Sequence, residues 1–192
     1  MKPPAVDAEG NGQQGFGLIQ LFTGDGKGKT SVAIGTIVRA IGKGKRVALV
    51  AFDKGGEHYA ERLTFRDLLP SVEVFPTGLD RMDFVTGKFR FGVTEEDKAE
   101  GERGLAIVGR LFEEARHDVI VLDEINISTT LGIIHEEDVL ALLDQKPATC
   151  ELILTGRDAP QTFLDRADLV TELRMVKHYF YKGVKPREGL DY

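Results

Sequence analysis

Thr23-Gly-Asp-Gly-Lys-Gly-Lys-Thr-Ser31 decides the fold of this chain. It lies between an apolar run, Gly17-Leu-Ile-Gln-Leu-Phe22, and an amphipathic helical pattern that closes at Gly42. Gly24, Gly26 and Gly28 alternate with polar residues and let the backbone turn tightly enough for successive N–H groups to face one anion. The helix that follows adds the positive end of its dipole. Lys29 offers a point charge to phosphate oxygens, and Thr30 offers a hydroxyl to a phosphate-bound Mg²⁺. The usual pattern opens on glycine six residues before the lysine, where this chain has Thr23. The segment Gly24, Asp25, Gly26, Lys27, Gly28, Lys29, Thr30 and Ser31 therefore reads as a site for ATP and Mg²⁺.

Short apolar runs alternate with helical patterns along the rest of the chain, as in parallel sheets covered by helices. Candidate strands are 17–22, 46–52, 72–75, 119–123, 151–155 and 169–174. Val47 to Phe52 and Val119 to Leu122 are continuously apolar, as strands buried on both faces should be. Candidate helices are 29–41, 95–115, 136–145 and 160–166. Thr94 opens a capping pattern with Asp97, and Pro160 suits a first helical turn. Residues 77–93 show no clear period and read as a long loop, often a functional feature. The expected architecture is α/β, a mainly parallel six-strand sheet of the P-loop NTPase (RecA-like) type. Residues 16–192 form its single domain, and residues 1–15 read as a polar, flexible arm.

Composition narrows the function. The 192 residues are 42% hydrophobic and carry a formal charge of −6, which argues against non-specific nucleic-acid binding. The single Cys150 precludes an internal disulfide framework and reads as a buried small residue. The longest apolar run is too short to span a bilayer, and no export signal is apparent. These features point to a cytoplasmic protein. His58, His117 and His135 show no metal-ligand spacing with cysteine.

Val119-Ile-Val-Leu-Asp-Glu124 ends an apolar strand in two carboxylates. Ligands in doubly wound folds sit beyond the carboxyl ends of the strands, so Asp123 should emerge near the phosphate loop and hold Mg²⁺ directly or through water. Glu124 can activate a water or organise metal and substrate, and nothing local decides between these. Lys54 and Arg157 each follow a strand and face the same rim, where they can meet phosphate. By these residues alone the protein can be a phosphoryl-transfer ATPase or kinase, or a non-catalytic nucleotide-binding regulator.

From Gly17 to Tyr192 the chain resembles the P-loop ATP:corrinoid adenosyltransferases. The resemblance rests on Thr23–Thr30, Arg39–Gly42, Phe52-Asp-Lys-Gly55 and Val121-Leu-Asp-Glu-Ile-Asn126. It continues in Leu154-Thr-Gly-Arg157, Ala167–Glu172, Val176-Lys-His178 and the closing Gly183–Tyr192. It implies transfer of the 5′-deoxyadenosyl group of ATP to the Co(I) centre of a reduced corrinoid, with release of triphosphate, in cobalamin biosynthesis or salvage. The corrinoid would be cobalamin, cobinamide or cobyrinic acid a,c-diamide. Co(I) is itself the nucleophile, consistent with the absence of a convincing nucleophilic triad. Lys29 and Glu124 take the catalytic roles under this reading, and ATP lies reversed in its loop. The resemblance also implies a homodimer, with residues 1–15 able to order over an active site. Phe89, Phe91 and His178 are the corrinoid contacts that the resemblance implies. Two departures stand out: Ala51 replaces a Gln found in some members, and Val93 stands where some carry Trp.

Overall fold

The computed structural model describes residues 17–56, 58–83 and 88–191. Six strands form one sheet: β1 (Ile19–Thr23), β2 (Val47–Ala51), β3 (Val72–Pro76), β6 (Val119–Asp123), β7 (Glu151–Thr155) and β8 (Leu169–Glu172). Their order is β3-β2-β6-β7-β1-β8, and every pairing is parallel. The sheet is therefore parallel throughout, rather than mainly so. Two further strands, β4 (Met82–Asp83) and β5 (Lys88–Phe89), form a separate antiparallel pair within the stretch read as a loop.

Alternation along the central strands explains their continuous apolar sequence. Ile19, Leu21, Ala48, Val50, Ile120, Leu122, Leu152 and Leu154 face one side of the sheet. There they meet α3 (Glu95–Glu114), α4 (Ile125–Thr130), α5 (Glu136–Asp144) and α6 (Gln161–Arg166) through side chains such as Val108, Ile125, Leu142 and Phe163. Phe22, Val47, Leu49, Val119, Val121 and Ile153 face the other side. That face is covered by Ala33 and Ile37 of α1 (Lys29–Ile41) and by Phe65 of α2 (Ala60–Asp67). Two apolar layers enclose the sheet, so β2, β6 and β7 have no polar face to show in sequence.

Helix ends follow their local chemistry. Thr94 and Asp97 make a reciprocal capping box at the start of α3. Pro160 sits one residue outside α6 as its N-cap, rather than within the first turn. The edge strand β8 stops at Glu172, two residues before the expected Arg174, and all four of its residues are exposed. Cys150 is buried at the entrance to β7, and its burial pushes the thiol pKa up to about 11. Among the described residues, no helix is long and apolar enough to cross a membrane.

Helix α3 approaches β2 closely because it carries glycine at the contact. A Cβ built on Gly104 would lie 2.4 Å from a ring carbon of the fully buried Phe52, whereas one on Gly109 would meet nothing nearer than 3.8 Å. Gly104→Ala is therefore expected to destabilise the protein by about 1–3 kcal/mol through overpacking. Gly109→Ala is expected to be neutral or to stabilise by up to about 1 kcal/mol through helix propensity. Thermal unfolding of the two variants should give midpoints displaced in opposite senses, or only the first displaced.

Candidate functional site

The phosphate loop runs from the end of β1 to the start of α1. Gly28 adopts φ 119° as the N-cap of α1, a conformation that strongly favours glycine. The loop is seated on the chain after β8: Gly26 N–H donates to the Leu173 carbonyl at 2.7 Å. A Cβ on Gly24 or Gly26 would lie 2.4 or 2.7 Å from that same oxygen. Lys29 is buried and its ammonium donates to the carbonyls of Gly24 and Gly26, both at 2.8 Å. Burial lowers its pKa, against the opposing pull of Glu124.

The ends of three neighbouring strands and the first turn of α1 converge on Asp123, which is 2% exposed. One of its oxygens accepts from Thr155 Oγ1 at 2.5 Å and from Thr30 Oγ1 at 3.0 Å. The other accepts from Lys54 Nζ at 2.5 Å. Lys54 also donates to Thr30 Oγ1 at 3.1 Å and lies 4.0 Å from Glu124. Burial acts to lower the Lys54 pKa, but Asp123 and Glu124 outweigh it and hold the ammonium above the ordinary lysine value. Glu124 is shifted upward, first by burial and then by the Asp123 charge. Its backbone is left-handed at φ 62°, and its N–H donates to Thr155 Oγ1 at 3.0 Å. A non-glycine residue held there stores about 1–3 kcal/mol of strain.

Two cavities open above this cluster. One, of about 470 Å³, is bounded by the loop from Lys27 to Ser31, by Lys54 and Tyr59, and by Gly189 to Asp191 near the C-terminus. The second, of about 400 Å³, is walled by Asp53, Arg81, Phe91, Val93, Leu131 and Arg157 among others. The phosphate loop and its acidic strand end thus open beside a second, partly apolar cavity.

Residues 15–192 match the family described as ATP:corrinoid adenosyltransferase BtuR/CobO/CobP. The chain belongs to that family. It is 37% identical over 191 residues to the corrinoid adenosyltransferase CobA of Salmonella typhimurium, covering 97% of this chain and 92% of the relative. It is 36% identical over 190 residues to the corrinoid adenosyltransferase of Escherichia coli K12, with the same coverage. The corrinoid adenosyltransferase of Pseudomonas aeruginosa is 32% identical over 176 residues, 92% of this chain and 84% of that one.

In this family member the residues singled out in sequence divide among several places. Lys27, Gly28, Lys29, Thr30 and Ser31 line the first cavity, and Lys54 and Glu124 line both. Arg157 and Phe91 line the second, with Phe91 85% exposed. Asp25 turns away from both cavities, and its carboxylate accepts from Met175 N–H at 2.9 Å. His178 lines neither, and its Nδ1 accepts from Phe180 N–H at 3.1 Å. The Phe89 side chain, the arm at residues 1–15 and Tyr192 lie outside what is described.

Several residues that hold the site together, among them Asp191, Tyr179, Arg81, Arg90 and Thr155, carried no assigned role in the sequence. Lys27 pairs with Asp191, which also accepts from Tyr179 and Arg187, so the closing Gly-Leu-Asp segment folds back over the phosphate loop. Bonding to Asp191 and then to Tyr179 raises the Lys27 pKa. Arg81 joins Asp53, with Nε 2.7 and 2.8 Å from its two oxygens, to the carbonyl of Gly92 at 2.8 Å. Arg90 makes a two-armed pair with the buried Asp97, at 2.8 and 2.6 Å, and holds its carboxyl well below the usual range. These two arginines tie the wall of the second cavity to β2 and α3. Thr155 had a signal, since it ends an apolar strand just as Asp123 does.

Thr155→Val keeps the shape of the side chain but removes a donor to Asp123 and an acceptor from Glu124 N–H. The expected cost is about 1–3 kcal/mol, because a buried N–H loses its partner. Thr155→Ser should recover most of that loss, and denaturant titration of the three proteins provides the measurement.

Proposed function

We propose that this protein transfers the 5′-deoxyadenosyl group of ATP to the Co(I) centre of a reduced corrinoid, releasing triphosphate, in cobalamin metabolism. The observation that carries the reading is the phosphate-loop cavity adjoining a second cavity across Lys54, Tyr59 and Glu124. Membership of the family supports it. Nucleotide occupies the first cavity and corrinoid the second, with the transferred carbon at their boundary.

The reaction is a displacement. A cobalt electron pair attacks the ribose 5′-carbon, the bond from that carbon to the triphosphate oxygen breaks, and triphosphate leaves with the bonding electrons. The protein supplies position and charge stabilisation rather than a nucleophile. Lys29 and the amides of Gly24–Ser31 hold the triphosphate, and Lys27 adds a second ammonium at the rim. Lys54 stands at the boundary, where it opposes the charge of Asp123 and Glu124. Glu124 orients the groups around it. Phe91 and Arg157 border the corrinoid, Phe89 is assigned to it by the sequence resemblance alone, and His178 stands outside the walls of that cavity.

The oxygens of Thr30 and Asp123 suit a cation, since both already accept from the Lys54 ammonium, at 3.1 and 2.5 Å. Thr30 and Asp123 are therefore the residues that would hold Mg²⁺, which when bound neutralises part of the triphosphate charge. In this reading the protein is a cytoplasmic enzyme that acts on small molecules, not on nucleic acid or a membrane. It acts as a homodimer: exposed apolar side chains at Val170, Val176, Phe180 and Tyr181 on and after the edge strand support a partner subunit.

Incubation with Mg-ATP and chemically reduced cobalamin should yield inorganic triphosphate and a light-sensitive cobalt–carbon bond, followed in the corrinoid absorption spectrum. Formation of ADP and phosphate without that bond, on cobinamide and cobyrinic acid diamide as well, would overturn the reading. Lys29→Ala should lower ATP affinity or turnover more than about ten-fold, since each charge-assisted contact contributes ~1.5–3 kcal/mol. Light scattering at micromolar concentration should give twice the chain mass, and a monomer alone would remove the dimer from the proposal.

A further inference from the structure

Tyr59 stands where the two cavities meet. Among the described residues, three side chains line both: Lys54, Tyr59 and Glu124. Two of them are already engaged. Lys54 is bound to Asp123 and Thr30, and Glu124 is fixed by its left-handed backbone beside Lys54. Tyr59 differs, because its hydroxyl has no hydrogen-bond partner among the described residues.

The ring, by contrast, is held firmly. The Lys54 ammonium lies 5.4 Å from its centroid and the Arg62 guanidinium carbon 4.7 Å, both within cation–π range. His58 stacks against it with centroids 4.3 Å apart. Arg62 is anchored in turn by the backbone carbonyls of Lys54 and Gly56. Tyr59 itself immediately precedes α2 as its N-cap. A rigid aromatic plate therefore stands at the boundary, its phenol unpartnered among the described residues.

We infer that Tyr59 is a positioning residue that touches both substrates at the point of transfer. Its hydroxyl hydrogen-bonds the ribose, whose own hydroxyls both donate and accept. Its ring bears the edge of the flat macrocycle. The transfer needs the 5′-carbon and the cobalt brought to roughly 3–3.5 Å in line, and a single residue contacting both partners fixes their relative approach. This inference rests on the functional reading above and adds a residue to its site.

The test uses Tyr59→Phe and Tyr59→Ala in the full chain, with kinetics for each substrate and thermal unfolding run in parallel. Tyr59→Phe retains the ring, so the corrinoid KM should stay near the wild-type value. The ATP KM should rise about three- to ten-fold, the loss of one hydrogen bond. Tyr59→Ala should raise both KM values and lower kcat by about ten-fold or more through lost orientation. A purely structural role would lower the unfolding midpoint and the active fraction but leave both KM values unchanged. A wild-type ATP KM in Tyr59→Phe, or a wild-type corrinoid KM in Tyr59→Ala, overturns the inference. If the alanine variant does not fold, Tyr59→Leu provides the corrinoid measurement. Wild-type protein that forms no cobalt–carbon bond would strike the functional reading itself, whereas active protein indifferent to these changes strikes only Tyr59.

Discussion

The carboxylate of Asp123 is the constraint on which the site depends. It is almost fully buried and carries a charge, a state that persists only when the charge is matched and its oxygens are satisfied. Lys54 supplies the opposite charge, and Thr30 and Thr155 supply the remaining donors. These partners belong to the end of β2, the first turn of α1 and the end of β7. Removing one member of such a buried pair typically costs about 3–5 kcal/mol, so the segments are held in register by their shared need for one anion. A parallel sheet makes this possible, because it delivers the carboxyl ends of all its strands to one edge.

The strength of the cluster is also its readiness for chemistry. Lys54 holds Asp123 and Thr30 while leaning toward the cavity boundary, and Glu124 is kept in a strained backbone by the same hydroxyl that satisfies Asp123. Charge is thus gathered close to where a polyanion would rest, with its geometry fixed in advance. Electrostatic preorganisation of this kind requires little rearrangement as the reaction proceeds.

Much of the fold was legible because local and global signals agreed. Helix α1 and strands β6 and β7 fall where periodicity and apolar runs put them, to the residue. Helices α2 and α4 were not foreseen, for different reasons. In α2 only Phe65 is buried, so the apolar stripe that marks a helix is missing. In α4 the sequence Ile-Asn-Ile-Ser-Thr-Thr is poor in helix formers, and burial against β7 overrides propensity. The segment from Thr77 to Val93 shows no period in sequence; its described arginines, Arg81 and Arg90, are held instead by Asp53 and Asp97 outside the segment, and such pairs leave no periodic trace. In the site, the Thr30–Asp123 contact could be read from strand ends. The return of Asp191 to Lys27 could not, since spacing along the chain does not report a fold-back.

The most exposed strand of the sheet supports the segment that must be most rigid. Every residue of β8 faces solvent on the sheet's outer edge, yet the carbonyl just beyond it receives Gly26 and sets how closely the phosphate loop can lie. Edge strands open locally at far lower free energy than the central ones. Fraying of β8 would therefore release the loop from its seat while the core stayed folded. The rigidity of the phosphate loop is in this way tied to a single border strand, and whatever covers that border, by lowering the frequency of its opening, also steadies the loop.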